Sequence, residues 1–172
     1  MISKLFNYNY LILAIFSIST AISSSALAFP AIAKQPDKKT DSEYINSILS
    51  EAQRIEQEHG IPLDLTLAIA RLESGNGEHI VGENNHFGLR CVSDDCVTIE
   101  KNGQAIEYET CPDASECFNT FAKSINEAVE DKPITAEKLY QGGYATGSGW
   151  VDKINTIRNS VQQTLSEAGI QY

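Results

Sequence analysis

Leu63-Asp64-Leu65-Thr66-Leu67-Ala68-Ile69-Ala70-Arg71-Leu72-Glu73-Ser74-Gly75-Asn76-Gly77 decides how the chain folds. Pro62 and Asp64 are helix-start residues, and Leu65, Ala68, Ile69 and Leu72 recur at helical spacing. Only Thr66, Arg71 and Glu73 interrupt an otherwise apolar composition, which is that of a central helix buried on most sides. Ser74-Gly75-Asn76-Gly77 ends it. Glu73 therefore falls in the last turn of a buried helix. The negative pole of the helix and apolar surroundings both disfavour an ionised carboxylate, so its pKa is expected to rise. A carboxylic acid that keeps its proton near neutral pH suits proton donation to a departing sugar oxygen.

Upstream, Ile45, Ile48, Leu49, Ala52 and Ile55 mark one face of a helix from Ser42 to His59, closed by Gly60. Before that, residues 29–41 are polar and proline-containing and read as a flexible spacer. The chain opens with Lys4, an apolar run from Tyr10 to about Ile22, and Ala26-Leu27-Ala28. Those are the parts of a secretory signal peptide, with cleavage expected after Ala28 and export to the periplasm or beyond. The run is too short and too broken by Ser17, Ser19 and Thr20 for a spanning helix. Residues 42–172 are then one domain with one core.

Downstream of Gly77 the pattern changes. Residues 96–99 and 105–108 are short β-prone runs around Asn102-Gly103, a hairpin signal. Helical patterning returns after Cys117, over Ser124–Val129 and Thr135–Tyr140. A last helix carries Trp150, Ile154, Ile157, Val161, Leu165 and Ala168. Cys91, Cys96, Cys111 and Cys117 form an even, tightly grouped set, which in an exported chain reads as two disulfides. Their spacing does not match the usual zinc patterns. Four cysteines allow three pairings and the sequence does not choose among them; the local one, 91–96 with 111–117, is preferred.

Thirteen Lys and Arg stand against 23 Asp and Glu, a net charge of −10 that repels nucleic-acid phosphates and anionic lipid. Among catalytic schemes, no G-x-S-x-G elbow and no H-E-x-x-H pattern occurs. A cysteine nucleophile would use a thiol that the paired set requires.

Three motifs stand in order: Ala70-Arg71-Leu72-Glu73-Ser74-Gly75-Asn76-Gly77, Asn84-Asn85-His86-Phe87-Gly88, and Gly143-Tyr144-Ala145-Thr146. Together they resemble the bacterial glucosaminidase family, glycoside hydrolase family 73, over about Leu63 to Ile157. The resemblance implies a mainly α (α+β), lysozyme-like helical domain with a small disulfide-tied β-hairpin lobe. It implies hydrolysis of the β-1,4 bond between N-acetylglucosamine and N-acetylmuramic acid in peptidoglycan glycan strands. Glu73 matches the general acid and Tyr144 the tyrosine facing the same cleft. Asn85, Phe87, Gly88, Ala145 and Thr146 match substrate-binding or cleft-turn positions, although Phe87 equally suits core packing and Gly88 a turn.

Family members are thought to add an acidic residue from the β-lobe. Of Glu100, Glu107 and Glu109, Glu100 is the candidate; the usual meaning of all three is a solvated strand face. Two departures stand out. His86 replaces an aliphatic residue and is expected to face solvent, and Gly147-Ser148-Gly149 replaces an aspartate–proline pair. No metal or cofactor is implied, no nucleic-acid partner, no stable membrane anchor after leader removal, and a monomer is expected. The rival readings are a lytic transglycosylase, which leaves anhydro-muramic ends, and a non-catalytic wall-binding domain.

Overall fold

The computed structural model describes residues 40–101 and 103–171. The expected leader and nearly all of the expected spacer lie outside the described residues. Thr40 opens the fold by capping helix α1 (Asp41–His59), one residue earlier than the periodicity suggests. Its hydroxyl accepts from the Glu43 amide at 3.2 Å, and the Glu43 carboxylate accepts from the Thr40 amide at 2.8 Å. This reciprocal pair satisfies two donors that a helix start leaves bare. Gly60 ends α1 in the left-handed conformation, and the Lys132 ammonium donates to the His59 carbonyl at 2.7 Å.

Helix α2 (Leu63–Ser74) runs through the centre, packed between α1 and the last helix, α5 (Trp150–Glu167). Every residue from Leu63 to Ala70 is buried. That stretch includes one charge, Asp64, which takes a forked set of bonds from Arg158 at 2.9–3.1 Å and one from Gln162 at 2.6 Å. A buried carboxylate is tolerable only when paired in this way. Removing a central side chain such as Leu67, which is fully buried, costs about 2–5 kcal/mol in comparable cores.

Helix α3 (Ala114–Ala128) starts before Cys117 rather than after it, because Asp113 caps it by accepting from the Glu116 amide at 2.9 Å. It delivers Phe118 and Phe121 to the core. Phe87 stacks on Phe121 with ring centroids 3.9 Å apart and meets Phe118 edge-on at 4.8 Å. The short helix α4 (Ala136–Gln141) leads into the Tyr144 loop.

Strands β1 (Cys96–Lys101) and β2 (Gln104–Glu109) form an antiparallel hairpin with Cys96 opposite Glu109 and Lys101 opposite Gln104. It buries little. Disulfides join Cys91 to Cys96 and Cys111 to Cys117, the local pairing. Glu109 departs from the expectation of a solvated strand charge. It is buried, and one of its oxygens accepts from the amides of Val92 (2.8 Å) and Ser93 (3.2 Å). Burial alone would raise its pKa; bonds from the Ser93 side chain and these amides outweigh burial and lower it. The group Cys91, Cys96 and Glu109 could in principle hold a metal, but the disulfide removes its thiolates. Among the described residues no helix is long and apolar enough to cross a membrane.

The helices are thus held by a core and the hairpin by staples. Reducing both disulfides under native conditions should speed amide exchange over residues 89–111 while leaving α2 protected. Exchange monitored by mass spectrometry checks this; equal acceleration in α2 would show that the two parts are not separable.

Candidate active site

The C-terminal end of α2 is built to present one side chain. Gly75 takes the left-handed conformation and its N–H reaches the Arg71 carbonyl. The Ser74 hydroxyl donates to the Ala70 carbonyl at 2.7 Å, accepts from the Gly77 N–H at 2.9 Å and lies 2.9 Å from the Tyr44 hydroxyl. Tyr44 in turn pairs with His86 Nδ1 at 3.0 Å. Burial is the main reason the Tyr44 phenol is pushed up to about 12, so it stays a neutral link in the network. His86 is therefore not solvent-facing as the sequence suggests. It is 7% exposed and makes a polar tie to Tyr44 in the core.

On the far side of the turn, Asn76 has φ 60°. Its side-chain oxygen accepts from Arg71 at 2.9 Å and its side-chain nitrogen donates to Asp41 at 2.7 Å. Arg71 and Asp41 also form an ion pair. Serine and asparagine in the Glu73 motif thus pin the turn from both sides, leaving the Glu73 side chain as the part that projects.

Glu73 projects into an open cleft of about 930 Å³. Its walls are the 79–92 segment, the hairpin, one face of α3 and the 144–150 loop. Glu73 is exposed to that opening, yet the walls remove enough water around the carboxyl to raise its pKa. Two influences oppose the rise, the Trp150 indole N–H, which donates to Glu73 Oε1 at 3.4 Å, and the charge of Lys101.

Tyr144 also lines the cleft, half-buried, with its ring edge-on to Phe121 at 6.4 Å and tilted against Trp150 at 5.9 Å. Burial first, and the negative charge of Glu73 second, hold its phenol protonated well above the ordinary range. The 142–144 turn is sterically specified: a methyl group on Gly142 would overlap the Ala128 carbonyl, and the Tyr144 amide donates to the Leu139 carbonyl at 2.9 Å.

Of the residues singled out from sequence, Glu73, Phe87, Gly88, Tyr144, Ala145 and Thr146 all line this cleft. Phe87 does so from the core, at 4% exposure. Asn85 does not line it. It is buried, and its side chain donates to the carbonyls of Leu89 and Glu109, both at 3.0 Å, and accepts from the Leu89 amide at 2.9 Å. Its role is to tie the 85–89 turn to β2.

Glu100 does not line this cleft. Ile99, Lys101 and Tyr108 face the cleft. Side chains alternate along a strand, so Glu100 and Glu107 point to the opposite face. The hairpin therefore presents a lysine to the cleft where a carboxylate was expected. Trp150, Arg90, Lys101 and Lys123 line the cleft and were not singled out from sequence. Pleat parity would have found Lys101. Trp150 is the chain's single tryptophan, and its helical spacing marks only its core-facing side.

The sequence model of the glucosaminidase family, described as mannosyl-glycoprotein endo-beta-N-acetylglucosaminidase, matches residues 49–163. Among solved structures, the glycoside hydrolase domain of FlgJ from Salmonella typhimurium superposes with a TM-score of 0.63 at 19% identity, covering 76% of this chain and 94% of that one. A peptidoglycan hydrolase from Sphingomonas sp. A1 gives 0.66 at 17% identity over 76% and 97%. The catalytic domain of the autolysin Auto from Listeria monocytogenes gives 0.59 at 23% over 78% and 92%. At these identities the structures share the fold. No curated protein matches in sequence.

The glycines around the site should differ sharply in tolerance. A methyl group on Gly77, at φ 80°, would stand 2.8 Å from the Tyr44 ring, whereas Gly143, at φ 83°, has no atom within 4 Å of that position. Gly143→Ala should cost only the left-handed backbone penalty of about 1 kcal/mol, and Gly77→Ala about 2 kcal/mol or more beyond it. Urea unfolding of the two variants measures the gap, and equal costs would contradict the packing described here.

Proposed function

We propose, from the premise that the chain belongs to the glucosaminidase family, that it is a peptidoglycan hydrolase. In this reading it cleaves the β-1,4 bond between N-acetylglucosamine and N-acetylmuramic acid. The observation that carries the reading is Glu73, a carboxylic acid with a raised pKa projecting into a long open cleft beside Tyr144 and Trp150. Glu73 gives its proton to the glycosidic oxygen as the bond to the anomeric carbon breaks. Trp150 holds the carboxyl's orientation through a neutral donor. Tyr144, kept protonated, serves as a hydrogen-bond donor to the N-acetyl group or to the incoming water, not as a base.

Water must lose a proton as it adds to the anomeric carbon. In this reading Glu73, ionised after the first step, takes it back. Export to the periplasm or the cell exterior, where the substrate lies and disulfides persist, belongs to the same reading.

One observation favours a second reading. The hairpin offers the cleft no carboxylate to activate water, and a lytic transglycosylase needs none, because the muramic 6-hydroxyl attacks in place of water. Product analysis separates the two. Hydrolysis leaves reducing N-acetylglucosamine ends that borohydride converts, whereas transglycosylation leaves anhydro-muramic ends. We expect the former from purified sacculi, and Glu73→Gln should lower cleavage by a factor of about a hundred or more without unfolding the chain. Activity of that variant within a few-fold of wild type would remove Glu73 from the mechanism.

The pH profile carries a further sign. Glu73 acts in its protonated form, so kcat should fall as pH rises through its raised pKa. Trp150→Phe removes a bond that favours the ionised form. That change should raise the Glu73 pKa and move the alkaline limb to higher pH, whatever its effect on the absolute rate. A limb that stays in place or moves down would show that the indole does not act on Glu73.

A further inference from the structure

The cations of this acidic chain are unevenly employed. Among the described residues, Arg54 pairs with Glu51 and Glu58, Arg71 with Asp41 and Arg158 with Asp64. Lys132 and Lys138 donate to the backbone carbonyls of His59 and Asp131. Arg90, Lys101, Lys123 and Lys153 form no ion pair with a carboxylate among the described residues. All of these but Lys153 line the cleft.

They approach it from separate elements: Arg90 from the loop before the hairpin, Lys101 from the end of β1, and Lys123 from α3. Arg90 is held with its guanidinium 5.0 Å from the centroid of the Tyr108 ring, a contact that leaves its hydrogen-bond donors available. The cleft carboxylates are Glu73 and Glu127. Once Glu73 carries its proton, three cations face Glu127 alone. A chain of net charge −10 thus has an excess of positive charge in its cleft, where low-dielectric walls focus the field.

Neutral sugars do not require this. We infer that the cleft selects an anionic glycan, a strand whose sugars carry carboxylates, over an uncharged N-acetylglucosamine polymer. The inference rests on the peptidoglycan reading and adds to it the residues, Arg90, Lys101 and Lys123, that recognise the charge of the strand. In peptidoglycan the carboxylates come from two sources: the stem peptides on muramic acid, or the lactyl group left when those peptides are removed. Arg90, Lys101 and Lys123 bind either through charge-assisted hydrogen bonds.

The test uses the Glu73→Gln form of the chain, which binds without cutting, sedimented with insoluble sacculi. Native sacculi are compared with sacculi whose carboxyls are amidated by carbodiimide and ammonia, and soluble glycan strands freed of their peptides by an amidase are added as competitors for native sacculi. Amidation should weaken binding at least about fivefold, as should raising the salt several-fold, because each exposed pair contributes a modest, screened amount. Stripped strands that compete for the chain assign the lactyl carboxylates; stripped strands that do not compete assign the stem peptides.

Lys123→Gln in the same background should lose about two- to fivefold on native sacculi and nothing on amidated ones. Adding Arg90→Gln should abolish most of the remaining preference. Equal binding to native and amidated material overturns the inference, as does a double variant that still discriminates. Failure of the wild-type chain to cleave native sacculi, with the binding preference intact, would sink the hydrolase reading alone. Cleavage of native and amidated sacculi with the same KM would sink this inference alone.

Discussion

A helix that ends inside a protein must find partners for its last carbonyls, and α2 depends on how that is done. Leu63 to Ala70 are all buried, so water cannot serve the helix end from the core side. The Ala70 carbonyl accepts from the Ser74 hydroxyl, and the Tyr44 hydroxyl lies at 3.3 Å. The Arg71 carbonyl accepts from the amides of Gly75 and Asn76, and the Ser74 carbonyl from that of His79 at 2.8 Å. Each bond requires a left-handed backbone or a short hydroxyl side chain at a fixed position, which is why the turn reads Ser-Gly-Asn-Gly. Leu72 and Glu73 of the last turn take no part in this closure; Leu72 packs against the core, and Glu73 is left to face the cleft. The functional side chain is set by what the helix end leaves over.

The two halves of the cleft are held by different forces. On the helical side, burial of the α1, α2, α3 and α5 faces fixes Phe87, Phe121 and Trp150, and through their rings Tyr144. On the hairpin side there is little apolar area to bury, and two disulfides, the Asn85 side chain and the Glu109 carboxylate take the place of a core. With Glu73 on the core-packed half and the cleft cations partly on the stapled half, the walls can vary without moving Glu73.

Much of this was legible beforehand. The helix carrying Glu73, the hairpin and the final helix follow from periodicity and turn chemistry, and the presence of two disulfides from cysteine grouping, because those features are local; the pairing itself is a preference that the sequence does not decide. The three motifs located Glu73, Tyr144 and the Phe87-Gly88 floor. What failed was side-chain direction. Glu100 was judged by its nearness to the Asn-Gly turn, when its parity with Ile99 and Lys101 decides which face it occupies. Glu109 and His86 were read as solvent-facing from residue type alone. Their burial depends on partners far away in sequence, the Val92 and Ser93 amides and the Tyr44 hydroxyl. The start of α3 was missed because Cys117 was treated as a boundary, while Asp113 supplied the cap.

That the hairpin turns Lys101 rather than Glu100 to the cleft bears on how one glutamate can both hold and release a proton. A second acid near Glu73 would push its pKa further up, since two neighbouring carboxylates resist joint ionisation. Lys101 works the other way, favouring the ionised form, and the Trp150 N–H adds to it. Desolvation still prevails, so its pKa stays above that of an ordinary glutamate. The counterweights stabilise the carboxylate that exists after proton donation, and Tyr144 is coupled to the same charge. A cleft arranged in this way favours the ionised form without a carboxylate from the hairpin. It is suited to chemistry in which one carboxyl gives a proton and then takes one back.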